Sequence, residues 1–410
     1  MYLNRPLWEK PNQKLGRNED RDSTGASKCF HILSMTDLVP SGPTRVRSSL
    51  GWLAKAFAWT GNRSGYPLGY YPALDGVRGI MTLGVLAAHT RYLLLPGAVV
   101  YMEVFFVMSG YLITSLLLAD YRKRGRIDFK KFYTRRFMRL YPALAMLCAA
   151  LVAVAWFFSS EFRLRLIDAA VAFFYVSNYW RAYDQPGLWF MTHTWSLAVE
   201  EQFYLLWPVT FALLMRFFGA TWRSLAILLI AAAGFAGWRI WLAAHGASVP
   251  RLYNGFDTRA DSLLVGCALA VGLQLVDLAR YPRVCTLLAW SLLPLAAFEL
   301  WCGLTIRDSM RWYYYWMPLF GTIPGAIVLL ALLQPKRTFM HALYELPVFV
   351  FCGRICYGLY LWHYPIFSLL RGEFRLRYYQ VFLIGWPIAF GLAIGSYYLI
   401  ERHFMRARPV

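Results

Sequence analysis

The feature that most restricts the fold of this chain is its succession of long apolar segments. Eleven can be delimited, at residues 79–95, 99–119, 141–159, 166–180, 197–218, 224–244, 262–278, 285–304, 313–334, 347–370 and 380–401. A helix needs about 20 mostly apolar residues to cross a bilayer. Only 16% of the residues are charged, against about 25% in a soluble domain. The sequence therefore predicts an all-α integral membrane protein and excludes a soluble enzyme.

Basic residues concentrate in the gaps between these segments and predict the orientation of the chain. The gap from Tyr121 to Leu140 contains nine Lys or Arg residues and one acid, Asp128. Short loops rich in Lys and Arg remain in the cytoplasm, and the tail with Arg402, Arg406 and Arg408 follows the same rule. The formal net charge of +20 therefore indicates contact with anionic membrane lipid rather than with nucleic acid. We expect a multi-pass membrane protein with both termini in the cytoplasm.

Both termini lie on one side only if the number of crossings is even. Segment 166–180 is the shortest and contains Asp168 and Asn178, so we expect it to be re-entrant or interfacial. The prediction is a bundle of about ten transmembrane helices, with eleven as the alternative. No internal repeat is visible, which argues against a secondary transporter.

Residues 1–66 differ from the membrane domain predicted at 67–410. They are polar and rich in Gly, Pro and charge, which predicts a largely disordered cytoplasmic extension. Residues 50–59 could form an interfacial helix, and an upstream extension before a later start at Met35 is an equally good interpretation. The seven cysteines are scattered without a CxxC pair, so neither a metal site nor a disulfide framework is expected.

The first candidate site residues are Arg78 and His89, which are 11 positions apart. Eleven steps of about 100° bring both side chains to one helix face, about 16 Å apart along the axis. An ionisable residue at such depth is a functional-site hypothesis, and histidine suits general-base catalysis. The alternatives are a histidine that only bonds two helices together and an arginine paired with Asp75 at a helix start.

Three further segments combine polar groups with apolar surroundings. Ser109–Gly110 allows close helix packing, and a nucleophilic role for Ser109 would need a base such as His89. Arg135 and Arg136 lie beside aromatic residues, where guanidinium groups can bind either lipid headgroups or donor phosphates. Glu200 and Glu201 are adjacent carboxylates in an apolar helix, where charge is costly unless it serves a function. The alternative is an acidic first turn that stabilises the helix N-terminus. Tyr204 shares a helix face with Glu200.

Two other groups favour structural roles. Asp257, Arg259 and Asp261 place three charges at the start of an apolar segment, and we expect a salt-bridged anchor there. His363, in the segment from Leu361 to Pro365, is interpreted as a helix-packing residue in preference to a functional one.

Taken in order, these motifs resemble the acyltransferase-3 family of membrane acyltransferases. The resemblance rests on LDGVRG leading to His89, FFVMSGYLIT, FYTRRFMRLYP, TWSLAVEEQFYLLWP, TRADSLLVG and YLWHYP, and it covers residues 71–404. It implies an acyl-CoA co-substrate from the cytoplasm, no permanently bound cofactor, and an acceptor hydroxyl on a surface glycan or glycolipid. Many members carry an additional extracytoplasmic domain. For this chain, we expect any such domain to be supplied by a separate partner protein.

The resemblance also implies roles for individual residues. His89 and Glu200 are expected to be catalytic, and Arg78, Arg135 and Arg136 to bind the phosphates of acyl-CoA. Further substrate contacts are expected from Ser109, Trp195, Ser196, Glu201 and Tyr204. We expect transfer of an acyl group, most simply acetyl, onto a hydroxyl. A lipid or glycan transporter and a polytopic glycosyltransferase are the alternatives.

Overall fold

The computed structural model describes residues 70–91, 94–158, 161–186, 188–335 and 337–406. The predicted extension at 1–66, including the possible interfacial helix at 50–59, lies outside the described residues. Within the described ranges the chain is helical and contains no β-strand. The predicted all-α fold is confirmed for these residues.

The first half of the described chain forms eight α-helices. They are α1 Pro72–Thr90, α2 Ala98–Arg124, α3 Phe129–Phe158, α4 Phe162–Phe173, α5 Ser177–Ala182, α6 Trp195–Phe218, α7 Trp222–Ala244 and α8 Val249–Asn254. A short 3₁₀ turn, Thr192–Thr194, leads directly into α6.

The second half forms ten more α-helices. They are α9 Ala260–Leu275, α10 Pro282–Thr305, α11 Arg311–Met317, α12 Ile323–Leu333, α13 Phe339–Tyr344, α14 Pro347–Arg354, α15 Cys356–Gly372, α16 Tyr378–Gln380, α17 Trp386–Ser396 and α18 Arg402–Arg406. Three π-helical turns, Pro318–Thr322, Val381–Gly385 and Tyr397–Glu401, connect neighbours within this set.

Seven helices in the described part of the chain are long and apolar enough to cross a membrane. They are Ala98–Arg124, Phe129–Phe157, Thr192–Phe218, Trp222–Ala244, Pro282–Thr305, Arg311–Leu333 and Tyr378–Met405. The chain is therefore an integral membrane protein by fold, but the predicted number of about ten spans is not confirmed. Three predicted spans are not among the seven: α1 is a continuous helix whose sequence includes the ionisable residues Asp75, Arg78 and His89, α9 is only 16 residues long, and segment 347–370 breaks at Ile355.

Segment 166–180 does not form one continuous helix. It is divided between α4 and α5 by a turn in which Tyr175 has a positive φ of 52°. Asp168 is buried within α4, pairs with Arg165 at 3.0 Å and accepts a 3.0 Å hydrogen bond from the backbone N–H of Trp189. At 12 and 6 residues, neither helix can cross a bilayer, as expected for a segment predicted not to span.

Helices α2 and α9 cross at very short distance because each contributes a glycine. A Cβ on Gly110 would overlap the carbonyl oxygen of Leu263, and one on Gly266 would overlap the carbonyl oxygen of Val107. Membrane helices approach closely where small residues meet, since packing rather than the hydrophobic effect holds them together. This crossing fixes the register of α2, and therefore of Ser109, against the rest of the bundle.

The charged start of α9 is a buried ion-pair network. Arg259 pairs with Glu103 of α2, and Asp261 pairs with Arg239 of α7 at 2.8 Å. The Ser262 hydroxyl completes the network with a hydrogen bond to Glu103. The predicted salt-bridged anchor is confirmed, although the sequence did not single out Glu103. Because the Arg259 guanidinium also lies 5.6 Å from the centroid of the Trp195 ring, the network supports one wall of the candidate site.

Candidate active site

Helix α1 holds both Arg78 and His89, as the spacing predicted. Pro72 at its start presets the helical φ angle, and the helix continues unbroken to Thr90. Arg78 lies 3.3 Å from Asp75 one turn earlier, so the predicted intrahelical pair is present. His89 lies in the last turn of the helix, and the two residues therefore belong to separate side-chain clusters.

The first cluster consists of three histidines and two tyrosines, and we call it the histidine cluster: His89, His193, His363, Tyr360 and Tyr364. The Nδ1 atom of His89 lies 2.8 Å from Nε2 of His363 in α15. The Tyr364 ring meets the His89 ring edge-on with centroids 4.9 Å apart, and stacks on His193 at 5.0 Å. The three histidines come from three distant parts of the sequence and meet only in the folded chain.

His193 has an unusual environment for a buried polar side chain. It is only 2% exposed, and neither ring nitrogen has a hydrogen-bond partner of acceptable geometry among the described residues. Buried polar groups in proteins nearly always have a partner, so an exception calls for an explanation. Since His193 also lines a cavity, a bound molecule is the natural partner for its ring nitrogens.

A cavity of about 220 Å³ adjoins the histidine cluster. Its aromatic walls are Trp195, Tyr253, Tyr360 and Tyr364, and its polar groups are His89, His193, Arg181, Asp308 and Thr192. Arg181 donates a hydrogen bond to the Thr192 carbonyl oxygen at 3.3 Å and forms no ion pair with a carboxylate of the described chain. Apolar walls with a few convergent polar groups are typical of small-molecule sites.

The second cluster combines cations, carboxylates and hydroxyl groups, and we call it the arginine cluster: Arg78, Ser109, Arg136, Arg139, Glu200, Glu201 and Tyr204. The hydroxyl groups of Ser109 and Tyr204 share a short hydrogen bond. The Arg136 guanidinium lies over the Tyr204 ring, 5.1 Å from its centroid. Glu200 is within electrostatic range of Arg78, Arg136 and Arg139. Cations and carboxylates are thus gathered between α1, α2, α3 and α6.

The structure distinguishes between the arginines of α3. Arg136 is half-buried and faces the arginine cluster, whereas Arg135 is exposed. Arg139, one turn beyond Arg136, lies within electrostatic range of both Glu200 and Glu201. Residues three apart share a helix face, while neighbours point about 100° apart. Arg139 therefore shares the inward face of α3 with Arg136, whereas Arg135 lies outside the cluster.

Helices α6 and α15 connect the two clusters. The Tyr360 hydroxyl donates a 2.7 Å hydrogen bond to the carbonyl oxygen of His193 and therefore accepts one, also of 2.7 Å, from the Ser196 hydroxyl. Trp195 lines the cavity, while Glu200 and Tyr204 lie one and two turns further along α6. The expected substrate contacts are therefore divided, with Trp195 and Ser196 near the histidines and the others near the arginines.

The base that a nucleophilic Ser109 would need does not lie beside it. Ser109 bonds to Tyr204 rather than to His89, whose ring is held by His363. His193, Arg181 and Tyr253 were not singled out from the sequence. The position of His193 directly before the TWSLAVEE motif was a usable signal, but Arg181 and Tyr253 lie in segments without a recognisable pattern. No group of three potential metal ligands in the described chain could hold a metal ion.

Comparison with known proteins identifies the family of this chain. The acyltransferase domain model of the acyltransferase-3 family matches residues 71–402. The fold defines an all-helical integral membrane protein in which α1 contributes ionisable side chains to two polar clusters. The chain belongs to the acyltransferase-3 family.

Curated relatives are bacterial O-acetyltransferases. The chain is 33% identical over 316 residues to the peptidoglycan O-acetyltransferase OatA of Listeria monocytogenes, which covers 74% of this chain and 50% of that protein. It is 32% identical over 317 residues to the O-acetyltransferase OatA of Staphylococcus aureus, covering 74% and 52%. The chain thus spans about half the length of the curated relatives it matches. No solved structure is significantly similar to it.

Proposed function

We propose that this chain is a membrane O-acyltransferase that moves an acyl group, most simply acetyl, from cytoplasmic acyl-CoA to a hydroxyl of a cell-surface glycan or glycolipid. The observation that carries the proposal is α1, a single helix with the cation of Arg78 near one end and the cavity-lining His89 at the other. The relatives' names support acetyl as the group and a peptidoglycan-like glycan as the acceptor.

The arginine cluster is proposed as the donor site. Acyl-CoA carries several phosphates, which guanidinium groups bind with paired, charge-assisted hydrogen bonds. Arg78 and Arg136 are placed to make such contacts together, and the exposed Arg135 lies at the rim, where it attracts the donor by charge alone. The basic segment from Tyr121 to Leu140 contributes Arg136 and Arg139 to this cluster, so the positive-inside rule supports a donor site on the cytoplasmic side.

The histidine cluster and its cavity are proposed as the acceptor site. At about 220 Å³, the cavity is smaller than the roughly 300–1,000 Å³ pockets of drug-sized ligands. It therefore suits one sugar unit with the transferred acyl group rather than an extended oligosaccharide. The rings of Trp195 and Tyr253 offer apolar surface to a sugar face, while Arg181 offers hydrogen-bond donors to its oxygens.

The proposed reaction is a direct transfer. His89 accepts the proton from the acceptor hydroxyl as its oxygen attacks the thioester carbonyl carbon. A ring N–H of His193 donates to the oxyanion that develops, a form of stabilisation that removal of one donor shows to be worth about 10²- to 10³-fold. The carbon–sulfur bond then breaks, and the protonated His89 returns the proton to the departing CoA thiolate. The products are the acylated hydroxyl and free CoA.

The proposed topology places ten helical crossings in the inner membrane. The helix α1, the short apolar helix α9 and the bent pair α14–α15, added to the seven long spans, bring the number to ten. An even number leaves both termini in the cytoplasm with the basic loop and tail. It also places the connection after α1, next to His89, on the opposite side, where a surface glycan is accessible.

The test is acyl-CoA-dependent modification of a glycan. Membranes containing the wild-type chain are supplied with isotopically labelled acetyl-CoA, and cell-surface glycans are analysed by mass spectrometry with and without the gene. We expect a labelled acetyl mass on one glycan, absent from the deletion strain and from a His89→Ala strain. The matched control is His245→Ala, an exposed histidine that bonds only its own helix at the Trp241 carbonyl. Glycan movement without label would instead identify a transporter.

A further inference from the structure

The contact between His363 and its own helix fixes where the ring proton of His363 lies. The Nδ1 atom of His363 is 2.9 Å from the carbonyl oxygen of Leu359, one turn earlier in α15. A carbonyl oxygen can only accept a hydrogen bond. The Nδ1 atom of His363 must therefore carry a proton and donate it to this oxygen.

The burial of His363 determines the state of its second nitrogen. The ring is fully buried, and it forms no ion pair with a carboxylate of the described chain. An enclosed imidazolium without a counter-charge is costly, so the neutral ring is favoured. A neutral imidazole holds one proton. With that proton on Nδ1, the Nε2 atom of His363 presents a lone pair and accepts a hydrogen bond.

The same logic then assigns the proton of His89. Its Nδ1 atom faces the accepting Nε2 of His363 at 2.8 Å, so Nδ1 carries the hydrogen. The ring planes are 20° apart with centroids 5.1 Å apart, so the two rings meet edge to edge, as an N–H···N bond requires. The Nε2 atom of His89 keeps its lone pair, and it forms no hydrogen bond within the described chain. His89 lines the cavity, and Nε2 is the nitrogen that remains for a substrate.

We propose that His363 is a positioning residue that locks His89 in the Nδ1–H tautomer and thereby makes Nε2 the basic atom of the site. This inference rests on the proposed function of His89 as general base. Without an acceptor at His363, the His89 ring can turn or place its proton on Nε2, and in that tautomer it cannot accept the proton of the hydroxyl. In the folded chain, the carbonyl of Leu359 selects the His363 tautomer, and His363 selects that of His89.

Neighbouring rings hold His363 in place for this role. Phe367 packs edge-on at 5.7 Å, and Tyr360 lies on the opposite side at 5.6 Å. The three side chains all lie on α15, whose packing against α1 determines the distance between the two histidines. A packing role alone would require the volume of His363 but not its lone pair.

The test separates the lone pair from the volume by comparing His363→Gln with His363→Met. Both side chains are unbranched, similar in length and compatible with a helix, but only Gln offers a strong acceptor to the N–H of His89. Loss of the partner that orients a metal-bound histidine typically costs about 10- to 100-fold, and we expect a comparable cost for the orienting partner of His89. We expect His363→Met to lower kcat by that factor with KM for acetyl-CoA unchanged, and His363→Gln to retain transfer within a fewfold of wild type.

Several outcomes would overturn the proposal. Near-normal transfer by the Met variant removes the need for a lone pair, and equal losses in both variants indicate packing. If the Met variant does not insert, the Gln variant decides alone, because a kcat as low as that of His89→Ala contradicts the proposal. A double variant, His89→Ala with His363→Gln, should be no worse than His89→Ala. Should His89→Ala itself retain transfer, the proposed function fails first, whatever the result at His363.

Discussion

The position of the arginines on α3 leads to a quantitative prediction about donor binding. Arg135 and Arg136 are adjacent in sequence, yet Arg136 lies over the Tyr204 ring while Arg135 is exposed. Replacing each with Ala removes the same side chain and the same charge. The pair is therefore its own matched control, since only the orientation relative to the arginine cluster differs.

The expected magnitudes follow from the two environments. A charge-assisted hydrogen bond from a sheltered guanidinium to a phosphate is worth about 1.5–3 kcal/mol, or roughly 10- to 150-fold. An exposed, mobile charge contributes about 0–1 kcal/mol, or up to roughly fivefold. Arg136→Ala should therefore raise KM for acetyl-CoA by at least about tenfold, and Arg135→Ala by no more than about fivefold.

The assay measures initial rates of label transfer in reconstituted vesicles across a range of acetyl-CoA concentrations. Raising the salt concentration should reduce the small effect of Arg135 further, because exposed charges are screened over about 8–10 Å at moderate ionic strength. Equal KM effects at both positions would refute the assignment of Arg136 to the donor site. A loss confined to kcat at Arg136 would refute it as well.

Three further predictions test the base, the packing and the topology. His89→Gln keeps a hydrogen-bonding group but cannot take the proton. It should insert normally and lose transfer by at least about a hundredfold, with His245→Gln as the control. Near-normal transfer in the His89→Gln variant would show that His89 is not the base. Gly266→Ala should lower the midpoint of thermal unfolding in detergent because its Cβ overlaps the Val107 carbonyl. The control Gly272→Ala, whose Cβ meets only the Leu225 side chain at 4.0 Å, should not. Similar midpoints for the two variants would contradict the close crossing. In intact cells, an impermeant thiol reagent should label a cysteine at position 246 but not one at 125 or 409, and labelling at 409 alone would favour eleven spans.

The sequence was sufficient to predict the features that one helix determines by itself. Arg78 and His89 stand out because ionisable residues are rare in an apolar segment, and their spacing fixes their relative direction once α1 is helical. The Ser109–Gly110 pair likewise predicts close packing without naming the partner helix. These predictions need only helical periodicity and the cost of burying charge in a bilayer.

Features that depend on the contact between distant segments were not predictable in this way. His363 is as conspicuous in its segment as His89, but its role depends on α15 lying beside α1, 274 residues away in sequence. The phase of α3 was ambiguous because aromatic residues flank the arginines on more than one face. Hydropathy likewise does not reveal the break at Ile355 or the end of α9 after 16 residues, so two of the predicted spans are not among the long apolar helices.

The two-cluster arrangement also explains how a cytoplasmic donor could serve an acceptor on the other side of the membrane. Helix α1 contributes Arg78 to one cluster and His89 to the other, and α6 joins them a second time through Ser196 and Glu200. A rigid helix keeps the donor cations about 16 Å from the base. Under the proposed function, the charged part of acyl-CoA remains at the arginine cluster while its extended thiol arm brings the thioester to His89. Only the acyl group then crosses to the acceptor side, so the phosphates never pass through the apolar interior, where their desolvation would be prohibitive.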